Sequence, residues 1–146
     1  MTQTLKNLQV QIISPNGVVY TKRARKCHVQ TIDGGMTILP NHIAMMTVLD
    51  ISTVVVAPLV EGKPDDYIAI NGGLLEIRDN ELNIIANMAV RALDIDDAKT
   101  KMELSLAEDK LKQAEINQDI RAYHSAEIEL RKALNQLDAF KHQHNQ

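Results

Sequence analysis

Glu81 to Leu111 reads ELNIIANMAVRALDIDDAKTKMELSLAEDKL, and its chemistry changes in the middle. Leu82 to Asn87 is a short β-rich run. Beyond Ala92–Asp94 the residues are Ala, Leu, Lys, Glu and Asp, which favour helix. The same contrast divides the whole chain. Residues 1–90 hold all six glycines, all four prolines and most of the valines, and residues 91–146 hold no Gly and no Pro. The reading that follows is a β-sandwich of antiparallel strands over 1–91 and an antiparallel α-helical hairpin over 92–146.

Towards the N-terminus, strands and turns alternate. Leu8, Val10 and Ile12 alternate with Gln9 and Gln11, a period of two with one buried face. Ser14-Pro15-Asn16-Gly17 is a turn signal. Val18–Thr21 and Lys26–Thr31 are the next strands, followed by a turn at Asp33-Gly34-Gly35 and a corner at Pro40-Asn41-His42. Residues 45–49, 51–57 and 67–71 read as strands. Asn71-Gly72-Gly73 reads as a hairpin, because the central positions of a type I′ turn need positive φ. Leu74–Arg78 and Leu82–Asn87 flank a turn at Asp79-Asn80-Glu81. Strands this short predict roughly eight to ten of them in a sandwich or barrel.

Towards the C-terminus, Asp94 is placed to cap a first helix that runs to about Ile116, with Asp96 and Asp97 in its first turn. Leu104, Ala107, Leu111 and Ala114 form its apolar stripe. Asn117-Gln118-Asp119 breaks the pattern. A second stripe follows in Ala126, Leu130, Ala133, Leu134 and Leu137. Both stripes are rich in alanine, which buries little area. The hairpin therefore needs the sandwich or a partner for stability, which suggests a movable arm rather than a catalytic element.

Composition narrows the function. The chain has 146 residues and a net charge of −3, which argues against nucleic-acid binding. Cys27 is the single cysteine, so no internal disulfide or thiolate zinc cluster forms. Met1–Lys6 lacks the apolar run of a signal peptide. Ile43–Val60 approaches the length of a membrane span, but Asp50, Pro58 and its Val, Ile and Thr content make it two buried strands. No Gly-x-Ser-x-Gly, Gly-x-Gly-x-x-Gly or Walker-type motif occurs. His142 and His144 lie in a polar tail, and His28 and His42 stand apart. Helix capping accounts for Asp94, Asp96 and Asp97. No catalytic constellation and no metal site emerges.

Four motifs in order carry a resemblance. They are the hairpin Leu8–Tyr20, the stretch Thr31-Ile-Asp-Gly-Gly-Met-Thr-Ile-Leu-Pro-Asn-His42, the stretch Tyr67-Ile-Ala-Ile-Asn-Gly-Gly-Leu-Leu-Glu-Ile77, and the junction Arg91–Asp96. Together they resemble the epsilon subunit of bacterial F-type ATP synthase, over about residues 5–140. The resemblance implies a ten-stranded sandwich that binds the gamma subunit and rests on the c-subunit ring. It also implies a mobile hairpin that reaches the catalytic α and β subunits and inhibits ATP hydrolysis. It further implies a non-catalytic rotor subunit of a proton-translocating complex, peripheral on the cytoplasmic side of the cell membrane and associated with it only through that complex. A free-standing sandwich adaptor whose hairpin docks another protein is the alternative. An enzyme would need a pocket that gathers His28, His42 or the Asp94–Asp97 cluster.

Residue by residue, the resemblance assigns Gly35, Met36 and His42 to the c-ring-facing loop, with Gly35 where many relatives carry glutamate. Relatives that bind ATP carry Ile-Asp-x-x-Arg-Ala at the first helix. Ile95, Asp96 and Lys99 stand there in this chain, and lysine lacks arginine's bidentate fork. Val90, Lys132 and Gln136 occupy other positions of that site. No cofactor is expected, and ATP is expected to bind weakly or not at all. Arg131, Lys132 and Leu134 are the candidate contacts of the arm with the catalytic subunits.

Overall fold

The computed structural model describes residues 6–145. The expectation that the chain begins without a leader falls on residues 1–5 and lies outside them. The described residues form seven strands: β1 Leu8–Ser14, β2 Gly17–Thr31, β3 Gly34–Ile38, β4 Met45–Pro58, β5 Asp66–Arg78, β6 Glu81–Ala86 and β7 Ala89–Arg91. A 3₁₀ turn at Ala92–Asp94 leads to helices α1, Asp97–Ile116, and α2, Ile120–His144.

The strands form a flattened ring, the two walls of a sandwich. They pair in the order β1-β6-β5-β4-β2, and β2 returns to β1. β3 adds to β2 and β7 adds to β5. All pairings are antiparallel except β1 with β6, which is parallel. A closed ring with an odd number of strands cannot alternate direction throughout, so one parallel neighbour is obligatory. The predicted face of β1 is inward: Leu8, Val10 and Ile12 are all fully buried. They meet Leu75, Ile77, Leu82, Ile84, Val54 and Ile68 in one core.

The expected ten strands are seven because three are long. β2, β4 and β5 have 15, 14 and 13 residues, and each serves both walls. Val18–Thr21 and Lys26–Thr31 are two ends of β2. The window predicted as two strands around Asp50 is the single strand β4. Counting each half of the three long strands separately restores the expected number.

Asn71-Gly72-Gly73 is not a hairpin but the bend in β5. Gly72 has φ of 80° and faces Asp50 across the β4 register. On the other side, Asn71 N–H donates to Met88 O at 3.0 Å and Asn87 N–H to Gly72 O at 3.2 Å. These bonds carry the β5 register across the gap between β6 and β7. Asp50, Gly72–Gly73 and Asn87–Met88 thus lie in line across three adjacent strands and form a crease. Glycine is required there because strands approach closely at a corner. A Cβ on Gly73 would collide with the carbonyl oxygen of Ile85.

The cap of α1 is Asp96 rather than Asp94: its carboxylate accepts Lys99 N–H at 3.1 Å. Asp94 instead belongs to the 3₁₀ turn and pairs with Arg91 at 3.0 Å. Asp119 caps α2, accepting from Ala122 N–H. Between the helices Ala107, Ala114, Ala126, Ala133 and Leu137 are buried, while Leu134, expected on this stripe, is 49% exposed. α2 lies against β4, β5 and the 3₁₀ turn, and α1 packs chiefly on α2.

Candidate functional site

The c-ring candidates do not form one cluster. Gly35 and His42 lie at opposite ends of β3, a five-residue strand whose end residues stand roughly 13 Å apart. Gly35 is exposed, and the imidazole of His28 and the amide of Gln30 crowd the space that a side chain there would enter. Met36 turns the other way and packs on the sandwich core. His42 is half-buried, with Nδ1 2.7 Å from Ile43 O, and its corner is tied to the β5–β6 turn by Asn41 N–H donating to Asn80 Oδ1. Among the large apolar side chains at the two turns, Ile32 and Ile43 are the most open to solvent, and the sequence reading did not single them out.

Strand register also brings together residues that no local motif links. Val48 pairs with Leu74, Leu74 with Ile85, and Ile85 with Ile13. Core and solvent faces alternate along each strand, so all four side chains stand on the outer face. Val48 and Ile85 are exposed and the other two half-buried. Met46 is 61% exposed on the same strand, and Ile32 N–H donates to Val48 O at 3.2 Å. The result is an apolar row about 15 Å wide across four adjacent strands, on a wall that the helices leave uncovered. A sequence signal existed: Ile13, Val48, Leu74 and Ile85 break the alternation with an apolar residue on the wet face.

The nucleotide candidates separate into two groups. Ile95 is buried in a small cluster with Ala69, Ala92 and Ala139. Asp96 is committed to the helix cap, and its carbonyl also accepts the Thr100 hydroxyl at 2.9 Å. Lys99 is exposed on the first turn. Lys132 and Gln136 instead line a cleft of about 280 Å³ with Asn71, Met88, Leu106 and Ala133. The cleft also holds Glu103 and a Lys110–Glu129 ion pair at 3.1 Å. Two carboxylates beside two ammonium groups give it no strong preference for a polyphosphate. Of the arm candidates, Arg131 is engaged with Asp50 at 3.0 Å, while Lys132 lines the cleft and Leu134 faces solvent.

No group of three or more His, Cys, Asp or Glu side chains suited to a metal occurs among the described residues. His28 Nδ1 lies 2.9 Å from the Thr37 hydroxyl on the sheet surface. Burial pushes the Cys27 thiol up to about 12, which suppresses the reactive thiolate. Burial also raises Tyr20, helped by the hydrogen bond its hydroxyl donates to Asp66 at 2.6 Å. Both side chains belong to the sandwich core. No helix among the described residues is long and apolar enough to cross a membrane.

The fold is a closed β-sandwich with an apolar outer row, followed by a helical hairpin closed mainly by alanines. Residues 7–92 match the family described as the ATP synthase delta/epsilon chain, β-sandwich domain, and the chain belongs to that family. A chain from the cryo-EM structure of the Euglena gracilis mitochondrial ATP synthase, comprising OSCP, F1 and c-ring in rotational state 1, has the same fold. The similarity covers 94% of this chain and 84% of that one, with a TM-score of 0.76 and 20% identity. A chain from the central stalk and c-ring of the Tetrahymena thermophila mitochondrial ATP synthase aligns more distantly, over 64% of this chain and 72% of its own, at TM-score 0.49 and 16% identity.

Proposed function

We propose that this protein is the epsilon-type, non-catalytic subunit in the rotor of a proton-translocating F-type ATP synthase. Residues 1–91 form the unit that joins gamma to the c ring, and residues 92–146 form an arm that restrains ATP hydrolysis at the catalytic α and β subunits. The observation that carries this reading is the row Ile13, Ile85, Leu74 and Val48, an apolar surface on the sandwich wall that the described helices do not cover. A gamma subunit that buries this row is the natural partner. The c ring then meets the turns at Gly35 and His42, and the complex holds the subunit at the cytoplasmic side of the cell membrane. ATP is at most a weak regulatory ligand, since Asp96 is occupied as a cap and Lys132 shares its cleft with Glu103 and Glu129.

Two assemblies test this. Ile85→Asp together with Val48→Asp should leave the isolated subunit folded and abolish co-purification with gamma. Retained binding would move the gamma contact elsewhere. Removing residues 92–146 should preserve gamma binding and coupled synthesis but raise ATP hydrolysis by the assembled complex. Unchanged hydrolysis at every salt concentration would reduce the arm to a brace. Calorimetry should find no ATP affinity in the micromolar range, roughly −8 kcal/mol.

A further inference from the structure

α2 meets the sandwich through every fourth residue: Arg131, Asn135, Ala139 and Gln143. Three of these four are polar, and they meet polar groups of the crease, of the β4–β5 pair and of the start of β5. Arg131 Nη2 donates to Asp50 Oδ1 at 3.0 Å. Asn135 Nδ2 donates to Ser52 O at 2.8 Å and reaches Ile70 O at 3.5 Å, while its Oδ1 accepts the Thr53 hydroxyl at 2.9 Å. Ser52 and Ile70 are register partners, so one amide straddles both strands. Gln143 binds the edge of β5 as a strand would. Its Oε1 accepts Tyr67 N–H at 3.0 Å and its Nε2 donates to Asp65 O at 3.2 Å. Those two backbone groups lie two residues apart, just before the stretch that β7 pairs, Ile68–Ile70. The Gln143 amide thus extends the β7 ladder in place of a peptide. The apolar part of the contact is one cluster: Ala139 is buried with Ala69, Ala92 and Ile95, Tyr67, Val90 and Phe140 pack against them, and the His142 ring stacks on Tyr67 at 5.6 Å.

We propose that this stripe is a polar latch, with Asn135 as its central pin, and that it sets the balance between a docked and a released hairpin. The proposal rests on the reading above that the hairpin moves. Its added content is that hydrogen-bond geometry, beside the apolar cluster around Ala139, decides whether the arm is held. Asn135 makes its bonds only when α2 sits in one register on the β4–β5 pair, so the latch also fixes where the helix docks. Opening it frees the Arg131 guanidinium from Asp50, so the arm gains a cation for an outside carboxylate only on release.

The test uses the full-length chain alone. Spin labels on cysteines introduced at Lys63 in the β4–β5 loop and Lys112 on α1, both exposed, report the docked and released distances. Native Cys27 is buried and takes no label. Asn135→Ala should lower the docked-to-released ratio roughly tenfold, equal to about 1.4 kcal/mol. Asn135→Leu decides the cause, because it keeps bulk while removing every hydrogen bond. A polar latch predicts release at least as great as with alanine. Tighter docking with leucine would overturn the proposal and assign the contact to apolar burial. Gln143→Ala should release partially, and Met102→Ala on the outer side of α1 should change nothing. Unchanged distances in both Asn135 variants and in Gln143→Ala would also overturn it. Circular dichroism checks that each variant remains folded. If the Asn135 variants release the arm yet truncation leaves hydrolysis unchanged, the arm reading fails and the latch stands. If truncation raises hydrolysis while the Asn135 variants remain docked, the reverse holds.

Discussion

Cys27 and Tyr20 tie the stability of the sandwich to pH from the alkaline side. Both are acids whose charged forms are excluded by burial, and the Tyr20 hydroxyl is further held by the Asp66 carboxylate. In the unfolded chain a cysteine ionises near 8.5 and a tyrosine near 10. The folded values are higher, so the unfolded state loses protons first. Their contribution to stability is fully present below about pH 8.5 and is lost as pH rises towards the folded values. Urea midpoints measured from pH 8 to 11 should therefore fall steadily. Cys27→Ala should flatten the first part of that fall, and an unchanged slope would show that the thiol is not sealed from solvent.

The crease in β5 is an element-scale feature, since it lines up a position of β4, the glycines of β5 and the break between β6 and β7. Gly73 sits where β5 and β6 close on one another, with Ala86 Cα 2.9 Å from the position a Cβ would occupy and the Ile85 carbonyl closer still. Gly73→Ala should cost about 1–3 kcal/mol of overpacking, read as a lower urea midpoint. Gly62, in an open loop with nothing near a built Cβ, is less crowded, although its φ of 86° still strains an alanine. A Gly73→Ala loss no larger than that of Gly62→Ala would show that the crease opens freely. This glycine pair also marks a limit of sequence reading. Positive φ at Gly72 serves a hairpin turn and a strand bend equally, and only the strand lying across it distinguishes them. The alternation of Leu8, Val10 and Ile12 needed no such partner, so that face was legible. Three aspartates within four residues could each cap α1, and the choice of Asp96 depends on Asp94 being drawn to Arg91. Each member of the outer apolar row interrupts the alternation of its own strand, but their meeting depends on pairings between residues far apart in sequence. The latch was written in the four-residue spacing of Arg131, Asn135, Ala139 and Gln143, but that spacing lacks the apolar residues by which helix faces are usually recognised.

For the whole molecule, the sandwich and the hairpin differ in cohesion. The sandwich has a continuous core of Ile, Leu and Val side chains, whereas the hairpin is closed mainly by alanines. Urea should therefore remove the helical signal at 222 nm before strand amides such as Ile68 and Ile84 lose hydrogen-exchange protection. Coincident transitions would mean that the helices are integral to the sandwich and that the arm cannot leave without unfolding it.

The ring closure of β1 has a consequence for the order in which the chain can assemble. β1 finds β2 at once through the turn at Ser14–Gly17, but its other neighbour is β6, at Glu81–Ala86. Until those residues leave the ribosome, the nascent β1 has one open edge. At 5–20 residues per second, synthesis of the intervening stretch takes on the order of 3–15 s. Such non-local pairing slows folding, because loop-closure entropy must be overcome before the contacts form. The half-built ring cannot be rescued by completing one wall first, since β2, β4 and β5 belong to both. The sandwich should therefore form in a single late event, and the hairpin, synthesised after the strands, arrives when its docking surface has just come into existence.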